Sequence, residues 1–132
     1  VLMMVVLSSC IGPFSELFEQ EYSTRDAANA ANNEWIPDFL PPDSSDIHEV
    51  HDIDTSVTWG CFKTGDFPSV RSSFGNRTSS RGSVHRGPRE LFRDFSWWPE
   101  SMSSGSVEII QYRELRIGMD DTQGIVCFYE NR

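Results

Sequence analysis

Hydrophobic residues recur at helical spacing near the beginning of the chain, at Phe14, Leu17, Phe18 and Tyr22. Residues three and four positions apart share one side of a helix, so this stripe predicts an amphipathic helix over residues 14–33. Four alanines within residues 27–31 favour the same structure, and Ser15 is expected to cap its first turn. A flexible acidic tether over residues 10–34 is the alternative interpretation.

Farther along the chain, apolar, aromatic and β-branched residues gather in short stretches typical of strands. The predicted strands are residues 47–51, 57–62, 107–117 and 125–129. Turn-forming side chains over 52–56 join the first two strands into a hairpin, and those over 120–124 join the last two. Arg113 and Glu114 are positions where the third strand is expected to break.

The region between the two hairpins is rich in Gly, Ser and Arg. Residues 65–87 have little periodicity, which predicts a long flexible loop. Pro88 suits the first position of a short helix over 88–95, whose apolar side chains share one face. These elements predict an α+β fold, with a small antiparallel sheet of two hairpins and one or two short helices in a single domain over residues 35–132.

Composition and charge restrict the possible functions. A chain of 132 residues allows one domain. Its hydrophobic content of 38% and aromatic content of 12% exclude wholesale disorder. The formal net charge of -9 excludes a general nucleic-acid binder, which needs Lys and Arg to neutralise phosphates. The charge is segregated, at -10 over residues 16–66, +5 over 67–93 and -4 over 94–132.

The first ten residues have the pattern of an export signal. Residues 1–7 are an uninterrupted apolar run that is followed by Ser8, Ser9 and Cys10, and such a run before small residues is typical of a secretory signal. Leu7-Ser8-Ser9-Cys10 resembles the lipobox of bacterial lipoproteins. The resemblance implies cleavage before Cys10 and a diacylglyceryl thioether on its sulfur, with acyl chains such as palmitate as a membrane anchor. A buried apolar strand with an ordinary free thiol is the alternative.

The residues around this signal also bear on where the chain starts and where the protein is located. No positive charge precedes the apolar run, and the first residue is Val1 and not Met. We therefore expect a non-AUG or truncated start, with residues 1–9 as the signal peptide. The residue after Cys10 is Ile11. An Asp at this position would resemble the inner-membrane retention signal of enteric bacteria. The expected location is the bacterial cell envelope, at the outer membrane or its periplasmic face where the source has one.

Residues 35–62 contain a second recognisable arrangement. It begins with Leu40-Pro41, the pair of small residues Ser44-Ser45, and Asp46 before Ile47. A turn at Asp54-Thr55 and a strand with an aromatic end at 59–62 follow. This arrangement resembles small exported bacterial proteins and lipoproteins of uncharacterised function, although Ser45 stands where Ala is expected. The resemblance implies export and supplies no particular chemistry.

A possible metal site is suggested by His48, His51 and Asp52, because His and carboxylate side chains a few residues apart can ligate zinc or a harder cation. On a strand, however, His48 and His51 point to opposite faces. We therefore expect a polar hairpin edge here, with no metal and no other cofactor.

Two cysteines lie in the middle of predicted strands. Cys61 and Cys127 can form a disulfide in an oxidising compartment if their Cα atoms come within about 7 Å. Two buried free thiols that behave as small hydrophobic groups are the alternative. Neither cysteine lies in a known nucleophile signature, so no catalytic residue is predicted.

Arginines concentrate in the middle of the chain. Guanidinium groups suit phosphate and carboxylate ligands, so these residues are candidates for binding an anionic lipid, a polyanion or an acidic protein: Arg71, Arg77, Arg81, Arg86, Arg89 and Arg93. Solvation, or docking onto the acidic segment 16–66 of the same chain, is the favoured alternative.

These observations favour a non-enzymatic lipoprotein of the cell envelope that acts as a binding or structural module. Its expected partners are the membrane, through the lipid on Cys10, and a protein or anionic envelope component. An inhibitor or immunity-type protein that captures an envelope enzyme or toxin is the second hypothesis, because an acidic surface steers basic partners. A small envelope hydrolase that uses Asp or His residues is the third.

Overall fold

Antiparallel strands dominate the fold in this computed structural model, which describes residues 17–75, 77, 79–85 and 95–132. The strands in this part are β1 (Leu17–Thr24), β2 (Ser45–Asp52), β3 (Val57–Lys63), β4 (Ser80–Gly82), β5 (Val107–Tyr112), β6 (Leu115–Asp120) and β7 (Ile125–Asn131). They form one sheet in the order β1-β2-β3-β7-β6-β5-β4. The same part contains two short helices, α1 (Arg25–Ala30) and α2 (Phe67–Ser72), and a 3₁₀ turn at Glu100–Ser103.

The predicted fold class is wrong, because the structure is predominantly β and its sheet has seven strands. The first predicted hairpin is confirmed as β2 and β3. The predicted strand over 107–117 is two strands, since Arg113 has a positive φ of 53° in the turn between β5 and β6. The hairpins do not remain separate, because β3 pairs along its whole length with β7 and merges them into one sheet.

The helix predicted over residues 14–33 is wrong for residues 17–24, which form a strand. Leu17–Thr24 is β1, which pairs with β2 from Leu17 opposite Asp52 to Thr24 opposite Ser45. The helix α1 begins only after Thr24, whose Oγ1 accepts a hydrogen bond of 3.1 Å from the backbone N–H of Ala27. Pairing with β2 satisfies the strand's backbone, so tertiary context overrides the local helical spacing.

The described part of the predicted loop over 65–87 contains two elements. Asp66 caps α2 by accepting a hydrogen bond of 3.2 Å from the backbone N–H of Ser69. Pro68 suits the first turn of that helix. Ser80–Gly82 adds β4 to the edge of β5. The helix predicted over 88–95 lies outside the described residues, except for Phe95.

Both faces of the sheet are covered by a hydrophobic core. Phe62 and Phe128 belong to the core that packs beneath α1, α2 and the segment between α1 and β2. Trp59 and Cys61 belong to the core on the opposite face, which the segment around the 3₁₀ turn covers. Alternate residues of one strand enter opposite cores, as the pleat requires. Among the described helices, none is long and apolar enough to cross a bilayer.

Candidate functional site

The cysteines of the two predicted hairpins meet at the centre of the sheet. Cys61 on β3 lies directly opposite Cys127 on β7, and the structure joins them in a disulfide whose Cα atoms are 4.1 Å apart. Both side chains are buried. The bond therefore cross-links the two halves of the sheet, and bonds of this kind persist in oxidising compartments.

The first of the candidate anion-binding arginines, Arg71, is paired with acidic side chains of the same chain. The guanidinium of Arg71 lies 2.7 Å from Glu108 Oε2 and 3.6 Å from Asp121 Oδ2. The hydrogen bond to Glu108 raises the pKa of Arg71, and the same bond lowers the pKa of Glu108. Arg71 is thus held by acidic side chains of residues 94–132, and not by those of the acidic segment 16–66.

The other two described candidates, Arg77 and Arg81, also contact groups of the same chain. Arg81 donates a hydrogen bond of 2.8 Å to the backbone oxygen of Ser106. The Arg77 guanidinium lies 4.9 Å from the ring centroid of Tyr112. The three remaining candidates lie outside the described residues: Arg86, Arg89 and Arg93.

A buried polar network surrounds the second predicted histidine. Glu49 is fully buried on β2, and its Oε1 lies 2.6 Å from Nδ1 of His51. Asn33 and Thr58 donate further hydrogen bonds to the same carboxyl group, over 3.1 Å and 3.3 Å. Burial raises the pKa of Glu49, and these hydrogen bonds oppose the shift only in part.

The ring of His51 is also fixed by aromatic stacking. Trp35 stacks on it with a centroid distance of 4.4 Å, and Phe18 stacks on it at 5.4 Å. The network therefore fastens the segment after α1 to the sheet, which is a structural role. Asp52, the third predicted metal candidate, is also structural, because it accepts a hydrogen bond of 3.0 Å from the Asp54 N–H in the β2–β3 turn.

His48 points to the opposite face of the sheet from His51, as strand alternation predicted. Its ring stacks on Trp97 at a centroid distance of 4.9 Å and an interplanar angle of 9°. Its Nε2 atom lies 3.2 Å from Asp46 Oδ1 and 4.0 Å from Glu21 Oε1. The structure therefore groups His48 with two acids that the sequence reasoning did not select, and separates it from His51 and Asp52.

The charge around this histidine cluster is mixed. Lys63 Nζ lies 3.3 Å from the second carboxylate oxygen of Asp46. Burial raises the pKa of Asp46, but hydrogen bonds from Lys63 and His48 outweigh it and leave the pKa below its usual value. Asp46 and His48 also line a small cavity of about 280 Å³, together with Trp97.

A larger groove lies at the other end of the sheet. It has a volume of about 760 Å³ and is bounded by the segment after α1, the end of α2, the β5–β6 hairpin and the end of β7. Its wall is formed by half-buried or buried apolar side chains that belong to or pack against one core: Ile36, Phe39, Phe74, Tyr112 and Leu115.

The rim of this groove carries more negative than positive charge. Four carboxylates and two guanidinium groups line it: Glu34, Asp38, Glu114, Glu130, Arg113 and Arg132. Arg132 is held in place, since its Nε lies 3.1 Å from Glu130 Oε1 and its guanidinium contacts the Trp35 ring at 5.1 Å. An apolar wall with an acidic rim suits a ligand that is apolar at its centre and basic at its edge.

Neither the groove nor the histidine cluster is visible as a local motif. Glu21 and His48 are far apart along the chain and meet only because β1 and β2 pair with these two residues opposite each other. Asp46 precedes the predicted strand over residues 47–51, and its positive φ of 48° lies in the irregular part of the β2–β3 register. Strand alternation therefore gave no signal that Asp46 and His48 come together.

Comparisons with known families and structures give one partial match. Residues 16–63 match the family model described as the YbbD head domain. The matched segment runs from the beginning of β1 to the end of β3, and it indicates a resemblance to a family of small bacterial proteins of the exported type. The chain matches no curated protein and no solved structure.

Proposed function

We propose that the protein is a non-enzymatic binding module of the bacterial cell envelope that holds a protein partner in the groove beside the β5–β6 hairpin. The groove carries this proposal, because its volume of about 760 Å³ and its apolar wall suit side chains of a partner. The partial match to an exported-type family supports an envelope location. The disulfide between Cys61 and Cys127 supports an oxidising compartment.

The acidic rim and the net charge of -9 indicate a basic partner. Opposite charges across an interface accelerate association and discourage wrong partners. An inhibitor or immunity-type protein, which captures a basic enzyme or toxin, is therefore the second candidate function. It differs from a passive binding module in one measurable respect, because adding the protein would suppress the activity of the captured enzyme or toxin.

We expect Tyr112→Ser to abolish capture of the partner from a cell-envelope extract, because Tyr112 forms part of the apolar wall of the groove. The measurement is an affinity pull-down with quantification of the recovered proteins by mass spectrometry. Ile53→Ser is the matched control, since Ile53 is 53% exposed in the β2–β3 turn and lies outside the groove. Equal recovery with all three proteins, or no stoichiometric partner with the wild type, would contradict the proposed function.

We further propose that a lipid on Cys10 anchors the protein, which rests on the resemblance of residues 7–10 to a lipobox. Cys10 lies outside the described residues. We expect Cys10→Ala to remove both acyl labelling and partitioning into the membrane fraction when the protein is expressed in bacteria behind a complete signal peptide, because only a thiol forms the thioether. Ser9→Ala, which retains a small residue beside the cysteine, is expected to keep both properties. A Cys10→Ala protein that still partitions into membranes and incorporates labelled acyl chains would refute the anchor.

A further inference from the structure

We propose that Glu21, Asp46 and His48 form a zinc-binding site on the face of the sheet opposite the Glu49–His51 network. Their candidate ligand atoms, two carboxylate oxygens and one imidazole nitrogen, all lie within 4.8 Å of one another. A mixed set of imidazole and carboxylate ligands suits Zn²⁺ better than it suits Mg²⁺ or Ca²⁺, which prefer oxygen ligands alone. Three protein ligands also leave a fourth position open.

The distances between the ligand atoms are compatible with a bound ion after a small adjustment. Zinc lies about 2.0–2.2 Å from nitrogen and oxygen ligands, so neighbouring ligand atoms on a tetrahedron are about 3.3 Å apart. His48 Nε2 and Asp46 Oδ1 are already 3.2 Å apart, whereas Glu21 Oε1 is 4.0 Å from the same nitrogen. The side chain of Glu21 is 68% exposed, so rotation of this side chain can close the remaining gap without moving the backbone.

The histidine is orientated before any ion binds. Stacking against Trp97 fixes the plane of the His48 ring, and the indole N–H of Trp97 donates a hydrogen bond of 3.3 Å to Glu19 on β1. The pairing of Glu21 directly opposite His48 fixes the backbone position of the third ligand on the neighbouring strand, and only its side chain has to rotate. Preorganised ligands lose little conformational entropy on binding, which favours the ion.

The surroundings provide both room and a competing cation. Asp46 and His48 line the cavity of about 280 Å³, so the open position of the ion would face a space that accommodates water or a small ligand. Lys63 now occupies the cation position beside Asp46, at 3.3 Å. Its side chain is 55% exposed and can turn into solvent, but its charge repels an ion and lowers the affinity.

The test is calorimetric titration with Zn²⁺ of the full chain without an affinity tag, carrying Cys10→Ser in every protein so that this thiol cannot bind the ion. We expect one saturable site. His48→Gln should weaken binding at least about tenfold, and Lys63→Gln should strengthen it about fivefold because a like charge is removed. His85→Gln is the matched control, since His85 is an exposed histidine outside the cluster and should leave the affinity unchanged.

A second measurement locates the ion on the protein. NMR of the imidazole nitrogens should show a zinc-dependent shift at Nε2 of His48 and no shift at His85. The absence of saturable binding at millimolar zinc would overturn the proposal, as would wild-type affinity in the His48→Gln protein. Neither result would touch the proposed groove function, because the groove lies at the other end of the sheet and shares no residue with the cluster.

Discussion

Replacing both Cys61 and Cys127 with Ala is expected to lower the free energy of unfolding by about 4 kcal/mol, because the disulfide closes a long loop of the chain. The two cysteines have a sequence separation of 66, and a cross-link over so long a segment reduces the conformational freedom of the unfolded chain. Truncating two buried side chains at the centre of the sheet adds to the loss. Urea unfolding followed by circular dichroism measures the difference.

Reduction of the wild-type protein provides the control for this prediction. Wild type in dithiothreitol should lose most of the same stability, whereas the double variant should be insensitive to the reductant. If the wild type and the double variant unfold at the same urea concentration under oxidising conditions, the disulfide does not hold the sheet together. Mass spectrometry of alkylated protein reports independently whether the pair is oxidised.

Gly60→Ala is expected to cost at least about 3 kcal/mol, because the added methyl group has no space between the strands. A Cβ atom at Gly60 would lie 2.8 Å from Cζ of Phe128 and closer still to the backbone oxygen of His48. The backbone oxygen belongs to β2, which pairs with β3 at this point, so it cannot rotate away as a side chain does. Relief therefore requires the two strands to separate locally.

Gly65→Ala is the matched control for this substitution. A Cβ atom there meets only Asp43 Oδ2, at an ordinary contact distance of 3.5 Å. Its effect on the free energy of unfolding should stay within about 0.5 kcal/mol. Equal stability of the Gly60→Ala and Gly65→Ala proteins in a urea titration would show that β2 and β3 are not packed as described.

Local pattern was sufficient for the elements whose signals are contained in a short segment. The hairpin of β2 and β3 was predicted because two apolar stretches flank the turn-forming residues 52–56. The opposite orientation of His48 and His51 followed from the same assignment, since alternation along a strand is independent of its neighbours. The closing strand β7 was predicted because its apolar residues follow the turn-forming residues 120–124.

Elements that depend on distant pairing were not predictable in this way. The apolar positions of residues 14–22 have helical spacing, and only the pairing with β2 makes residues 17–24 the strand β1. Assigning a helix there also hid the histidine cluster, because Glu21 comes beside His48 only through that pairing. The groove was missed because its walls come from four separate parts of the chain.

The position of β7 within the sheet has a consequence for the timing of folding. This strand follows the other described strands in the chain, yet it lies between β3 and β6. Until residues 125–131 have left the ribosome, β1, β2 and β3 therefore cannot join β4, β5 and β6 in one sheet. Pairing between segments so distant in sequence is intrinsically slow. The delay keeps the chain unfolded for longer, which suits the proposed export of a protein that crosses a membrane before it folds.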